Sequence, residues 1–341
     1  MSESSSPRRL NEEIEELVRE FGGNTETAYV SQLIKSALDI SNSDVSTLDA
    51  KIAASALREM QQAFKMMAPF RQRRKVTIFG SARTSKGDPL FHRTAQISRE
   101  FAERGWMVVT GAGPGIMEAG MVGAGRENSI GVSIRLPFET AANEVIQGDT
   151  KFVSMRYFFT RKLMLVKESH AFICMPGGFG TLDEMFELLT LIQTGKGLPV
   201  PLLLMDLEDD PFWESISQLI QEQLLPRGLI SSDDLALFEV CHSPSDAWQI
   251  VENFYSNYRS MRFFGETLVL RVNKEVSDGL LASLDEGFGM LCLDGCFSRT
   301  EARAEEIRDL DDLDAHRIAF KFARRHYGHL RLLINHLNRF D

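Results

Sequence analysis

At 341 residues the chain exceeds a single domain of about 100 to 200 residues and leaves room for a main domain with extensions. A hydrophobic fraction of 43% and a charged fraction of 25% are ordinary for a globular protein, and no apolar run approaches the roughly 20 residues that a bilayer crossing needs. The net charge of −10 disfavours nucleic acid and anionic membranes as partners and leaves a small ligand, held by a local basic site, as the expected one.

From the N-terminus, MSESSSPRRLNEE lacks an apolar h-region, so a cytoplasmic protein is expected. The stretches NEEIEELVREFG, TAYVSQLIKSALDI and TLDAKIAASALREMQQAFKMM repeat apolar residues at three- and four-residue spacing, which predicts amphipathic helices up to about residue 70. The run RQRRK, Arg71 to Lys75, reads as a solvated turn entering a strand.

From Val76 the texture becomes β-rich: VTIFG, WMVVTG, IGVSIRL, AFICMPG and VPLLLMD alternate with helical segments. That alternation predicts βαβ units and a parallel sheet covered on both faces, whose ligands bind beyond the carboxyl ends of the strands. Glycines stand directly after three of these runs: Gly80; Gly111, Gly113 and Gly115; and Gly177, Gly178 and Gly180. Further on, LFEVCHSPSDAWQIVENFY reads as a strand and a closing helix capped by Ser243 or Ser245. GETLVLRVNKEVSDGLLASLDEGFGMLCL reads as a strand then a helix, and HRIAFKFARRHYGHLRLLINHLNRF as a helix. The expected division is a helical extension over 1–70, an α/β domain over 71–259 and an α+β extension over 260–341.

Four cysteines, Cys174, Cys241, Cys292 and Cys296, have neither a disulfide-framework nor a CxxC spacing, and the seven histidines form no HExxH pattern. Neither a metal nor an organic cofactor is expected.

Glycine-rich turns that open helices bring backbone N–H groups onto an anion at the positive end of the helix dipole. In GAGPGIMEAG, however, Ile116 stands where a dinucleotide fingerprint needs glycine, and no G-x-x-x-x-G-K-[ST] loop occurs. In PGGFGTLDE, Thr181 and Glu184 fit a capping box, which alone explains Glu184. The bare Gly177, Gly178 and Gly180 open a second reading, in which a substrate approaches the backbone and meets the Glu184 carboxylate. Asp183 complements the helix dipole, and Glu187, one turn on from Glu184, is either a second site carboxylate or a solvated residue. The helix upstream adds the cations Arg161 and Lys162.

PGGFGTLDE resembles the P-G-G-x-G-T-x-x-E motif of the LOG family, the cytokinin riboside 5′-monophosphate phosphoribohydrolases, often mislabelled lysine decarboxylases. Arg161-Lys162 matches the family's Arg-Lys companion, and TGAGPGIMEA resembles its T-G-G-G-P-G-I-M-E-A loop. The resemblance covers about residues 74 to 225. It implies an α/β fold, a Rossmann-like doubly wound parallel sheet that here carries a helical N-terminal and a small C-terminal α+β extension. It also implies a homodimer or larger homo-oligomer that cleaves a purine nucleoside 5′-monophosphate to free base and ribose 5-phosphate.

Carried over by position, Arg161 and Glu184 are the paired catalytic residues. Gly178, Gly180 and Thr181 lie in the family's phosphate-binding loop; Gly177, Gly113, Gly115, Met117, Glu118 and Lys162 are further candidates for substrate binding, as is Ser81, which otherwise only forms a turn. Glu118 either reaches the ribose or only favours its helix N-terminus. Arg83 is a candidate nucleotide contact, and Arg135, Glu139 and Asn143 are candidates to line the base pocket. Ala112 departs from the family loop, and Phe159-Thr160 replaces the residues that precede the Arg in plant members, which leaves the base preference open. Two rival readings stand beside this one. A non-catalytic nucleotide sensor or carrier would use the same cradle, and a pyridoxal phosphate enzyme would need a Schiff-base lysine, for which Lys162 is poorly placed.

Overall fold

The computed structural model describes residues 7–21, 27–136 and 142–340. The chain divides at Gln61 and Gln62 into two compact units. The first unit is helical: α1 (Pro7–Phe21) packs on α2 (Thr27–Asn42), and α3 (Thr47–Met67) follows, the unit boundary falling within it. Ile14 and Val18, one turn apart on α1, are buried, as the helical period requires. At the start of α3, Ser46 Oγ accepts from the Asp49 N–H while Asp49 Oδ2 accepts from the Ser46 N–H, a reciprocal capping box.

The second unit is built on seven parallel strands: β1 (Lys75–Phe79), β2 (Met107–Thr110), β3 (Ser129–Ile134), β4 (Phe152–Met155), β5 (Ala171–Cys174), β6 (Leu202–Met205) and β7 (Glu239–Cys241). Their order is β4-β3-β2-β1-β5-β6-β7. The intervening helices are α4 (Pro89–Glu103), α5 (Ile116–Ala124), α6 (Phe158–Lys167), α7 (Phe179–Gln193), α8 (Phe212–Leu219) and α9 (Pro244–Phe254). This is the expected Rossmann-like α/β architecture. Val76, Ile78, Val108, Ile173 and Leu203 fill the core beside α4, and every residue of β1, β2, β5 and β6 is buried, the pattern of strands covered on both faces.

The chain starts the sheet at its centre, winds outward to β4, then returns to β5 on the other side of β1. The direction therefore reverses between β1 and β5, which opens a crevice at their carboxyl ends. Phe79 pairs with Cys174 in the ladder, so the two strands end level and their loops leave the sheet side by side.

A second sheet is antiparallel, in the order β10-β11-β9-β8, from β8 (Tyr258–Phe264), β9 (Thr267–Val272), β10 (Ser298–Arg299) and β11 (His316–Lys321). It carries α10 (Asp278–Phe288), α11 (Ala304–Asp309) and α12 (Tyr327–Arg339). Tyr327 of α12 lies against Gly195, just beyond the end of α7, and Gly328 lies against Asp233, in the turn that precedes β7. Arg331 donates to the Val200 carbonyl and to Glu239.

Two readings of the sequence are corrected. The run from His316 to Phe340 is not one helix: His316–Lys321 form β11, in register with β9 through Ile318 and Leu270, and His326, at φ +60°, separates it from α12. Strand pairing that buries Ile318, Phe320 and Phe322 overrides the helical appearance of the run. RQRRK is a solvated turn only at Arg71 and Gln72, which are exposed, and not beyond them. Lys75 is fully buried in β1, its ammonium donating to the Phe70 and Arg73 carbonyls, Arg73 donates to Gly105 O and Asn128, and Arg74 lies over the Tyr255 ring. Strands β4 and β8 were not read from the sequence, whereas Ser243 caps α9 as expected.

Candidate active site

Three loops leave the carboxyl ends of β1, β2 and β5, and Ser81 joins them through its backbone. Its N–H donates to Pro176 O of the third loop, and its carbonyl accepts from Ile116 N at the start of α5. Gly115 stands at φ +67°, and a β-carbon there would lie 2.4 Å from Ser81 O, so both its conformation and the close approach require glycine. Thr110 accepts the Ala112 N–H on its hydroxyl, and Asn143 holds the same loop by donating to Gly113 O. Ala112, where the family loop has glycine, takes φ +58° in a fully buried position.

These loops border a cavity of about 1030 Å³, ample for a nucleotide. Ser81, Gly113, Met117, Arg161, Gly178, Gly180, Thr181 and Glu184 line it, as do Arg83 and Arg135. Gly115, Gly177, Glu118, Lys162 and Asn143 do not. Gly115 and Gly177 shape the loops from behind, a β-carbon on Gly177 lying 2.2 Å from Thr181 Oγ1. Glu118 is turned to Lys86, 2.8 Å away. Glu139 lies outside the described residues.

Helix α7 begins at Phe179 with Gly178 as its N-cap and no side chain capping it. The capping box read at Thr181 is therefore absent: Thr181 already lies in the first turn, its N–H bonded to Gly178 O. The glycines let the chain start winding earlier than the box predicts, and the first turn of α7, Phe179 to Leu182, lines the cavity. A β-carbon on Gly178 or Gly180 would meet no protein atom within 4 Å, so the protein's own packing does not demand glycine at these two positions.

Freed from capping, Glu184 is buried on the cavity wall, with Oε1 3.9 Å from Nη1 of Arg161. Its Oε2 is buried without a hydrogen-bond partner among the described residues. Burial pushes the Glu184 carboxyl up to about 7, against the opposing pull of Arg161 and Lys162. Arg161 reaches the site from α6, with Nε donating to Val132 O. Lys162 instead pairs with Asp183 and Glu187, so Glu187 is an ion-pair partner rather than a second carboxylate in the cavity.

Sequence reasoning missed the aromatic rim. Phe179 is 93% exposed and Phe158 54% exposed, and both line the cavity. An apolar residue amid the glycines of PGGFG was the available signal for Phe179. Among the described residues no group of three or more His, Cys, Asp or Glu is arranged to hold a metal.

Residues 114–251 match the family model described as "Possible lysine decarboxylase". A cytokinin riboside 5′-monophosphate phosphoribohydrolase of Oryza sativa subsp. japonica is 32% identical over 168 residues, covering 47% of this chain and 65% of that protein. Another protein of the same rice, named "Probable cytokinin riboside 5′-monophosphate phosphoribohydrolase", is 32% identical over 158 residues, covering 43% of this chain and 70% of its own length. The chain thus spans about two thirds of the length of these two relatives. Among solved structures, the molybdenum cofactor carrier protein of Chlamydomonas reinhardtii superposes with a TM-score of 0.38 at 16% identity, covering 53% of this chain and 97% of that one.

Proposed function

This chain belongs to the LOG family, and from that premise we propose that it hydrolyses the N-glycosidic bond of a purine nucleoside 5′-monophosphate, releasing the free base and ribose 5-phosphate. The observation that carries the reading is the Glu184 carboxylate, buried beside Arg161 on the wall of a cavity whose rim is the glycine-rich start of α7.

The 5′-phosphate binds the N–H groups at the start of α7, where Gly178 and Gly180 leave room for it and the helix dipole favours its charge. That anchoring sets C1′ of the ribose near Glu184. As the bond from C1′ to the base nitrogen breaks, its electron pair leaves with the base and positive charge grows on the ribose. The ionised Glu184 stabilises that charge and takes a proton from the incoming water, whose oxygen bonds to C1′, while the departing base gains a proton. Arg161 orients the sugar phosphate and favours the ionised form of Glu184. Phe158 and Phe179 offer faces on which a base can stack.

The exposed apolar residues of the same two helices, Phe158, Phe159, Leu163, Phe179 and Phe186, are the candidate contact surface of a homo-oligomer. Light scattering coupled to gel filtration tests that part.

The activity is tested by incubating the protein and its Glu184→Gln variant with AMP, GMP, isopentenyladenosine monophosphate and adenosine, and following free base by chromatography. Release from a monophosphate, absent with adenosine and lost in the variant, is the expected result. Binding of intact nucleotide with no release from any monophosphate overturns the hydrolase reading in favour of a sensor or carrier.

A further inference from the structure

Lys162 follows Arg161 directly on α6, yet the two side chains part. Arg161 turns into the cavity, whereas Lys162 does not line it. The Lys162 ammonium lies 2.8 Å from Oδ2 of Asp183 and 2.7 Å from Oε2 of Glu187, both on α7. Its side chain is only 15% exposed, so this is a clamp between two helices rather than a loose surface pair. Asp183 immediately precedes Glu184, and Glu187 is the next residue along the same helical stripe. The first three turns of α7 therefore carry three carboxylates, and Lys162 binds the two that flank the buried one.

We propose that Lys162 is a positioning residue of the site: it does not hold the nucleotide, but ties Asp183 and Glu187 to α6 and so sets the charge and the placement of Glu184 between them. The inference rests on the phosphoribohydrolase reading above.

Among the described residues the charged and titratable groups acting on Glu184 are few. Arg161 and Lys162 face it from α6, Asp183 and Glu187 from α7, and Cys174 from β5. Burial and the two carboxylates favour the protonated form, while the two cations oppose them. Removing Lys162 leaves Arg161 alone against two carboxylates that have lost their own partner. Ionisation of Glu184 then becomes harder twice over, by loss of an attraction and by release of two repulsions. Lys162 itself stays charged: burial works to lower its pKa, but Asp183 and Glu187 raise it.

The test compares kcat and KM as functions of pH for the wild type, Lys162→Met, Lys162→Arg, and Lys162→Met combined with Glu187→Gln, with thermal melts as a check on folding. Lys162→Met is expected to move the rise of kcat to higher pH by roughly one unit, with KM within about twofold of wild type. Lys162→Arg restores the profile, and Glu187→Gln restores part of it by removing one repulsion. A KM raised at every pH with an unmoved kcat profile overturns the proposal and makes Lys162 a substrate contact. The Glu184 carboxyl is also titrated directly by ¹³C NMR in wild type and Lys162→Met, assigned through Glu184→Gln. An unmoved Glu184 titration overturns the proposal whether or not the protein turns over, whereas a wild type inactive on every monophosphate overturns only the functional reading.

Discussion

The Arg161 guanidinium occupies the space that a side chain at residue 111 needs: a β-carbon on Gly111 would lie 2.3 Å from its Nη2. Gly111→Ala must therefore displace the end of a flexible side chain while leaving the backbone free to keep its place. We expect kcat to fall by roughly 10- to 100-fold with little change in melting temperature. Gly123→Ala is the contrasting variant, because its β-carbon would lie 2.0 Å from the Ala95 carbonyl oxygen, a backbone atom that cannot step aside. Between α4 and α5 the same small substitution costs about 1–3 kcal/mol of stability, and a melting curve beside a kinetic assay separates the two cases.

The pH dependence follows from Glu184. Burial first, and against it Arg161 and Lys162, set its carboxyl near 7. On the proposed mechanism the ionised form does the work, so kcat is expected to rise as pH passes through about 7 and to level off above. Glu184→Gln lowers kcat by roughly 10²- to 10⁴-fold and removes that rise. The stability effect has the opposite sign. A carboxyl whose folded pKa is raised costs the fold stability as pH climbs from the unfolded value to the folded one. Glu184→Gln is therefore expected to melt higher than wild type at pH 8 and to match it at pH 4, a comparison made by calorimetry.

The α7 entrance gives a cleaner separation of binding from folding. Gly180 has no protein atom within 4 Å of a built β-carbon and lies in the first turn of the helix. Gly180→Ala is thus expected to stabilise the protein, by about 0.5–1 kcal/mol, through a smaller loss of backbone freedom. The added methyl points into the space assigned to the phosphate, so KM for a monophosphate rises about tenfold or more while kcat changes less. An unchanged KM would move the phosphate away from α7.

Most of this site was legible in the sequence because its parts are local. A strand that ends in glycine and opens a helix declares where its backbone N–H groups point, and MPGGFGTLDE does so within ten residues. The parallel strands with continuous apolar runs were legible for the same reason. What escaped depends on partners distant in the chain. β4 goes unread until it pairs with β3, and β11 reads as helix until β9 lies beside it. Lys75 looks solvated within RQRRK, yet folding surrounds it with the carbonyls of Phe70 and Arg73. The capping-box motif at Thr181 failed for a different reason: glycine before it permits more than one starting point for the helix, and sequence spacing alone does not choose between them.

The second sheet carries its own test, remote from the cavity. Glu306 is buried between Arg271 and Arg317: its Oε1 accepts from the Nε of each, and its Oε2 accepts the Arg303 N–H. Arg271 and Arg317 are themselves buried on β9 and β11. Burial works to raise the Glu306 carboxyl, but the Arg303 N–H and the two guanidinium groups hold it below the usual range. A depressed carboxyl contributes stability that is present above its unfolded pKa, near 4.5, and is lost as pH falls through the folded value. Wild type is therefore expected to lose melting temperature steeply below about pH 4. Glu306→Gln is expected to be less stable by roughly 3 kcal/mol at pH 7, because two buried cations lose their shared counter-charge, and to show a shallower fall in acid. Since Glu306 does not line the cavity, kcat at temperatures well below the melt is expected to stay at the wild-type value. A Glu306→Gln protein that melts like wild type at pH 7 would mean that Asp311, 2.6 Å from Arg271, suffices to balance the cluster.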